Sequence, residues 1–152
     1  MKHISTILCV PLTLCALLIG FAQGFSETFT VPAGDNFTKI VNLNEGDEVS
    51  GRVAVVGVEE SLINFSISDP GNIVILDHSN IGLRDFKFTA PRTGTYSFHF
   101  QNQFSQETKH ITLNYNVQHF IFGLPQELIL VFVIVGLALI AIVVFIAMSP
   151  KP

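Results

Sequence analysis

The run from Leu128 to Met148 holds twenty-one residues without one charged, amide or hydroxyl side chain. At about 1.5 Å of rise per helical residue it would span about 31 Å, the thickness of a bilayer's hydrocarbon core. A helix that is apolar all round cannot take part in a small water-exposed core without leaving most of its surface in water. The chain therefore divides into a membrane-spanning helix at 128–148, a short tail at 149–152 and everything before. Function is sought in the part before.

The N-terminus assigns that part a side. Met1-Lys2-His3 is a short basic region, Ile4 to Phe21 is mostly apolar, and Ala22-Gln23-Gly24 places small residues where a signal peptidase reads. Residues 1–24 are read as a signal peptide cleaved after Gly24; an uncleaved anchor is the alternative. In both readings Lys2 and Lys151 lie on the cytosolic side, and 25–127 lie outside the cytosol. The expectation is a single-pass type I membrane protein of the cell surface or the secretory lumen. A glycolipid anchor would need small residues and a polar spacer before the apolar run. His119 to Glu127 contains instead Phe120, Ile121, Phe122 and Leu124.

Both cysteines, Cys9 and Cys15, fall within the signal segment. Without them the outer part has no cysteine nucleophile, no thiolate metal site and no disulfide, so its core must hold it together. About 100 residues suffice for one domain. The outer part carries twelve acidic and six basic residues, a formal charge of −6. That sign argues against nucleic acid and anionic headgroups as partners.

Apolar residues between 25 and 117 recur with period two, broken by turn residues, and never with a sustained helical period. Phe29 and Val31 alternate before Pro32-Ala33-Gly34-Asp35. Phe37, Val41 and Leu43 share a parity, as do Val53 and Val55. Ile63, Phe65 and Ile67 precede the turn Asp69-Pro70-Gly71-Asn72. Ile73 and Ile75 read as a short strand, Phe86 and Phe88 as another. Tyr96, Phe98 and Phe100 face one way, as do Ile111, Leu113, Tyr115 and Val117. Seven or eight such strands predict an all-β fold: an antiparallel β-sandwich over 25–117, followed by a linker at 118–127 and the helix.

Chemistry-bearing patterns are few. Asn36-Phe37-Thr38 and Asn64-Phe65-Ser66 are glycosylation sequons. In each the phenylalanine takes the core parity, which turns Asn36 and Asn64 outward. If the strands around Phe98 and Leu113 form a hairpin, His99 and His110 share an outer face and could offer a metal two imidazoles; two solvated surface histidines is the plainer reading. The acidic stretches Asn44–Glu48 and Asp69–Asp77 lack calcium-loop spacing and read as solvated turns. No G-x-S-x-G, H-E-x-x-H or phosphate-cradling glycine loop occurs, and Glu59-Glu60 would point to opposite faces of a strand. Neither an enzyme nor a cofactor is expected.

Phe86-Lys87-Phe88-Thr89-Ala90-Pro91-Arg92-Thr93-Gly94-Thr95-Tyr96-Ser97-Phe98-His99-Phe100 leads through Gln101-Asn102-Gln103-Phe104-Ser105 to Lys109-His110-Ile111-Thr112-Leu113-Asn114-Tyr115. This resembles the closing hairpin of the GOLD domain, the luminal β-sandwich of early-secretory-pathway cargo receptors. In that pattern Gly94, Tyr96, Phe98 and Phe100 build the strand, while Asn102 and Ser105 turn the corner. The plan of signal peptide, sandwich, helix and short tail is similar too. The chain departs from those receptors in having no luminal cysteine pair, no helical stalk and no aromatic or dibasic tail signal. The resemblance implies a GOLD-like sandwich that recognises or assembles with other proteins, membrane proteins included, with the bilayer contacted through 128–148. Two alternatives stand beside it: a tethered module for glycans or lipids, and an accessory subunit acting through its helix.

Overall fold

The computed structural model describes residues 24–56, 62–121 and 123–148. Most of the expected signal segment with Cys9 and Cys15, the Glu59-Glu60 pair and the tail 149–152 lie outside them.

Eight strands form the body: β1 (Gly24–Val31), β2 (Asn36–Leu43), β3 (Glu48–Val56), β4 (Ile63–Ser68), β5 (Val74–Ile81), β6 (Leu83–Thr89), β7 (Gly94–Gln101) and β8 (Lys109–Gln118). They make two four-stranded sheets, ordered β1-β8-β3-β6 and β2-β7-β4-β5, with every neighbouring pair antiparallel. The sandwich expected from the alternation is the fold observed.

Its inner faces meet in a phenylalanine-rich core. Phe65, Tyr96, Phe98 and Phe100 of one sheet are fully buried. They interlock with the other sheet through Phe65–Phe86 at 5.2 Å, Phe86–Phe98 at 5.8 Å and Phe29–Phe100 at 5.0 Å between ring centroids. Rings of this size bury a large apolar area and prefer such tilted and edge-to-face contacts. The body thus holds together by aromatic packing with no cysteine in it. Gly51 is part of that packing: a Cβ there would lie 2.6 Å from the Phe86 ring.

Two expectations are corrected. Only β4 and β5 form a hairpin within one sheet; the chain crosses between sheets at each of the other connections among these eight strands. β7 and β8 are therefore not a hairpin. The expected strand at Ile73 and Ile75 becomes the longer β5, which excludes Ile73 and runs on to Ile81. Register shifts on both sides of its pairing with β4, with Asn80 at φ 54°, break the parity that would have revealed it.

The expected linker is partly ordered. Gln118 ends β8, and β9 (Phe120–Ile121) pairs with β10 (Leu124–Pro125). The helix α1 covers Gln126–Met148, two residues earlier than the apolar run alone suggests. Glu127 lies in its first turn, where a carboxylate favours the positive end of the helix dipole. Its span Gln126–Ala147 is long and apolar enough to cross a membrane, and none of it is buried within the protein.

Candidate functional site

β7 runs the length of its sheet, and its two ends differ. At its start, Gly94 has φ 149°, and a Cβ there would lie 2.6 Å from the Pro70 ring. The next inward residue, Tyr96, donates its hydroxyl to the Arg92 carbonyl at 2.7 Å. Arg92 Nε in turn meets Asp69 Oδ2 at 3.1 Å. Asp69 is buried, and its Oδ1 accepts the backbone N–H groups of Gly71 and Ile73 at 2.8 and 2.9 Å. Every polar group in this corner finds a partner, so Asp69 is a buried cap rather than the solvated turn residue expected.

The far end is built around Asn102, which is 2 % exposed. Its Nδ2 faces three carbonyls, Val31 O at 3.0 Å, Pro32 O at 2.9 Å and Glu107 O at 2.8 Å. Backbone bonds from Asn102 N to Asp35 O and from Gly34 N to Asn102 O complete the tie between the β1–β2 and β7–β8 connections. Ser105 Oγ accepts the Glu107 N–H at 3.0 Å. The amide oxygen of Asn102, by contrast, is buried with no hydrogen-bond partner.

Next to it, Lys109 opens β8 opposite Val31, on the same parity as Ile111 and Leu113. The residue is 3 % exposed, yet its Nζ reaches Glu107 Oε2 only at 3.5 Å, and the Glu107 side chain is 56 % exposed. A buried ammonium costs several kcal/mol unless closely paired, and this pairing is stretched. Asn102 and Lys109 help line a recess of about 400 Å³ with Asn64, Asn80, Gln101 and the exposed ring of Phe104. The candidate site is this recess.

Of the residues singled out from the sequence, it gathers Asn64, Asn102 and Ser105. Phe98 and Phe100 lie in the core, with Gly94 and Tyr96 at the opposite end. The histidines are not brought together. His99 is on the outer face of the β7 sheet, beside Thr38 Oγ1 at 3.1 Å, whereas His110 belongs to the other sheet. The shared face required for a metal pair is therefore not formed, and no group of three or more His, Cys, Asp and Glu placed to hold a metal occurs among the described residues. Asn36 is exposed at the start of the edge strand β2. Asn64 is half-buried, its Oδ1 accepting the Asn80 N–H at 2.9 Å. In register, Asn36 and Asn64 flank Gln101 from either side.

Besides Asp69, four buried or inward-facing charges escaped the sequence reading. Lys109 had a signal, since 109, 111, 113, 115 and 117 share one parity. Glu27 and Lys39 had the same one: both take inward parities on β1 and β2, and they pair with each other. That hydrogen bond raises the Lys39 pKa above its ordinary value, against the opposing effect of burial. Burial likewise raises the Tyr115 hydroxyl. Asp47, also buried, accepts the Asn44 N–H and meets His119 Nδ1 at 2.8 Å, which fastens the residue after β8 to the β2–β3 turn. Nothing in the spacing of Asp47 marks it as buried. On the outer face of the first sheet, Arg52 holds the Asp85 carboxyl below its usual range through an exposed hydrogen-bonded pair.

With the two ends of β7 in place, the comparison with known families is decisive. The family described as emp24/gp25L/p24 family/GOLD matches residues 26–123. The chain belongs to this family. The matched span covers the GOLD sandwich from the third residue of β1 onward, including the Gly94–Tyr96 corner and the Asn102 tie. Comparison with curated proteins gives no match. Among solved structures the chain is similar to Aeromonas hydrophila PliG, a periplasmic lysozyme inhibitor of g-type lysozyme, with 18 % identity over 64 % of this chain and 89 % of that one, at a TM-score of 0.49. It is also similar to the pre-peptidase C-terminal domain of collagenase from Bacillus anthracis, at 11 % identity, 60 % and 88 % coverage and a TM-score of 0.49. The Yersinia pseudotuberculosis-derived mitogen gives 13 % identity, 66 % and 91 % coverage and a TM-score of 0.45.

Proposed function

We propose that the chain is a single-pass type I membrane protein that presents its GOLD sandwich, outside the cytosol, for recognition of or assembly with other proteins. A role in sorting cargo within the secretory pathway is the finer form of this reading. Family membership over 26–123 is the observation that carries it. The apolar helix Gln126–Met148 supports the membrane tether. The aromatic platforms on which small sandwiches stack sugars favour exposed tryptophan or tyrosine. Here tryptophan is absent from the sequence, and Tyr96 and Tyr115 are 0 % and 9 % exposed. That weighs for protein recognition over the glycan-binding alternative.

Proximity labelling from a peroxidase fused ahead of the sandwich tests the reading. Reproducible capture of a small set of proteins, unchanged when the helix is exchanged for an unrelated one, is expected. Capture that disappears with the helix exchange would assign the function to the helix, and no reproducible capture would refute recognition by the sandwich. Asn36 is the sequon better placed to carry a glycan, because its side chain is exposed and that of Asn64 is engaged. A mobility shift on glycosidase treatment that vanishes in Asn36→Gln and persists in Asn64→Gln is expected; the reverse pattern would contradict it.

A further inference from the structure

We propose that the recess at the Asn102 end seats a carboxylate of a protein partner against Lys109, in the place now taken by Glu107. The inference rests on the protein-recognition reading and supplies the chemistry of the group recognised.

Three observations combine. Lys109 puts a full positive charge on the inward parity of an otherwise apolar strand, where a methionine or leucine would continue the core at no electrostatic cost. Its only ion pair among the described residues is the 3.5 Å contact to Glu107, longer than the 2.7–2.9 Å of a well-made charge-assisted hydrogen bond. Asn102 stands in the same wall; its buried amide oxygen has no partner and, being an acceptor, calls for a donor such as a backbone N–H beside the incoming carboxylate. The amide oxygen of Asn116, toward the other end of β8, is the other buried side-chain atom without a partner among the described residues.

The group that fits follows from the one already there. Glu107 shows that a carboxylate can approach Lys109 from the recess, and its half-exposed side chain can swing into water at little cost. An incoming carboxylate would replace it charge for charge. A phosphate dianion would leave an excess negative charge in a wall that otherwise offers the neutral amides of Asn64, Asn80 and Gln101. Phe104, 78 % exposed at the rim, provides an apolar surface for the residue beside the carboxylate. Two sources share this chemistry, an acidic side chain within a peptide and a free chain terminus. Glu107 is then an internal competitor, and removing it strengthens binding.

Three pentapeptides of otherwise identical sequence distinguish the cases when titrated into the isotopically labelled full chain in detergent micelles. One has a central glutamate and an amidated end, one a central glutamine and a free terminal carboxylate, and one a central glutamine and an amidated end. The amide resonances of Phe104, Glu107 and Lys109 are expected to move with a carboxylate peptide and to stay with the doubly neutral one; the tighter of the first two names the source. Lys109→Met weakens the effect at least tenfold, Lys109→Arg retains most of it, and Glu107→Gln tightens it several-fold. Equal response to the neutral peptide, indifference to Lys109→Met in a chain whose spectrum remains folded, or no carboxylate response even in Glu107→Gln would each overturn the proposal. Proximity labelling with Lys109→Met separates the two levels: an unchanged set of captured proteins refutes the recess and leaves recognition by the sandwich standing.

Discussion

The two ends of β7 are built from the same family motif and finished differently. At the Gly94 end each polar group is paired: Tyr96 with Arg92, Arg92 with Asp69, and Asp69 with two backbone amides. At the Asn102 end the Nδ2 group is satisfied several times over, yet its own oxygen has no partner and the neighbouring Lys109 Nζ meets only Glu107, at 3.5 Å. Motif residues hold both ends, and the difference comes from the oxygen of the motif residue Asn102 together with Lys109 beside it. Where a fold satisfies its polar groups the residues are explained by stability. A group left costly and poorly paired points to use.

The comparison breaks most visibly at Gly94. Gly94→Ala adds a Cβ at φ 149° against Pro70, and we expect a loss of about 2–4 kcal/mol in urea unfolding of the full chain in detergent. A loss below about 1 kcal/mol would show that the corner yields. At the other end, Asn102→Ala removes a buried donor shared by three carbonyls, of which Pro32 O and Glu107 O keep Asp35 N and Ser105 Oγ, and should cost about 1–3 kcal/mol. If it proved neutral, the tie between the β1–β2 and β7–β8 connections would not matter. Tyr96→Phe removes one hydroxyl bond while keeping the buried ring, so a loss of about 1 kcal/mol is expected.

The edge between these ends provides a control by pH. Lys39 is raised above 10.5 by its bond to Glu27, so the stability it contributes is complete below 10.5 and fades as pH climbs through the higher folded value. Tyr115 is raised above 10.0 by burial, so its ionisation is opposed by the fold and stability falls above that pH. Both act in one direction. The urea midpoint should decline above about pH 10, less steeply in Lys39→Met, and a midpoint flat to pH 11 would contradict both assignments.

Much of this was legible before any coordinates, for a physical reason. Period-two alternation is a local consequence of strand geometry, so Ile63-Phe65-Ile67 and Tyr96-Phe98-Phe100 declared their inward faces directly. Partner choice is not local. The tight run from Phe100 through Ser105 to Lys109 reads as a hairpin, although the chain uses it to cross from one sheet to the other. Asp47 and Asp69 sit in turn-rich stretches where burial depends on a distant arginine or histidine, which spacing does not encode. Lys109 was legible in principle: a lysine in step with Ile111, Leu113 and Tyr115 contradicts its own strand. Such a contradiction between residue and pattern is where function is expected to override stability.

Lys109→Met therefore tests the account most directly. Equilibrium urea unfolding of the full chain in detergent, wild type against Lys109→Met, should give a midpoint for the variant equal to or above that of the wild type, because an imperfectly paired buried charge is replaced by an apolar side chain of similar length. A loss of about 2 kcal/mol or more would contradict the account, making Lys109 a structural residue and the two ends of β7 alike.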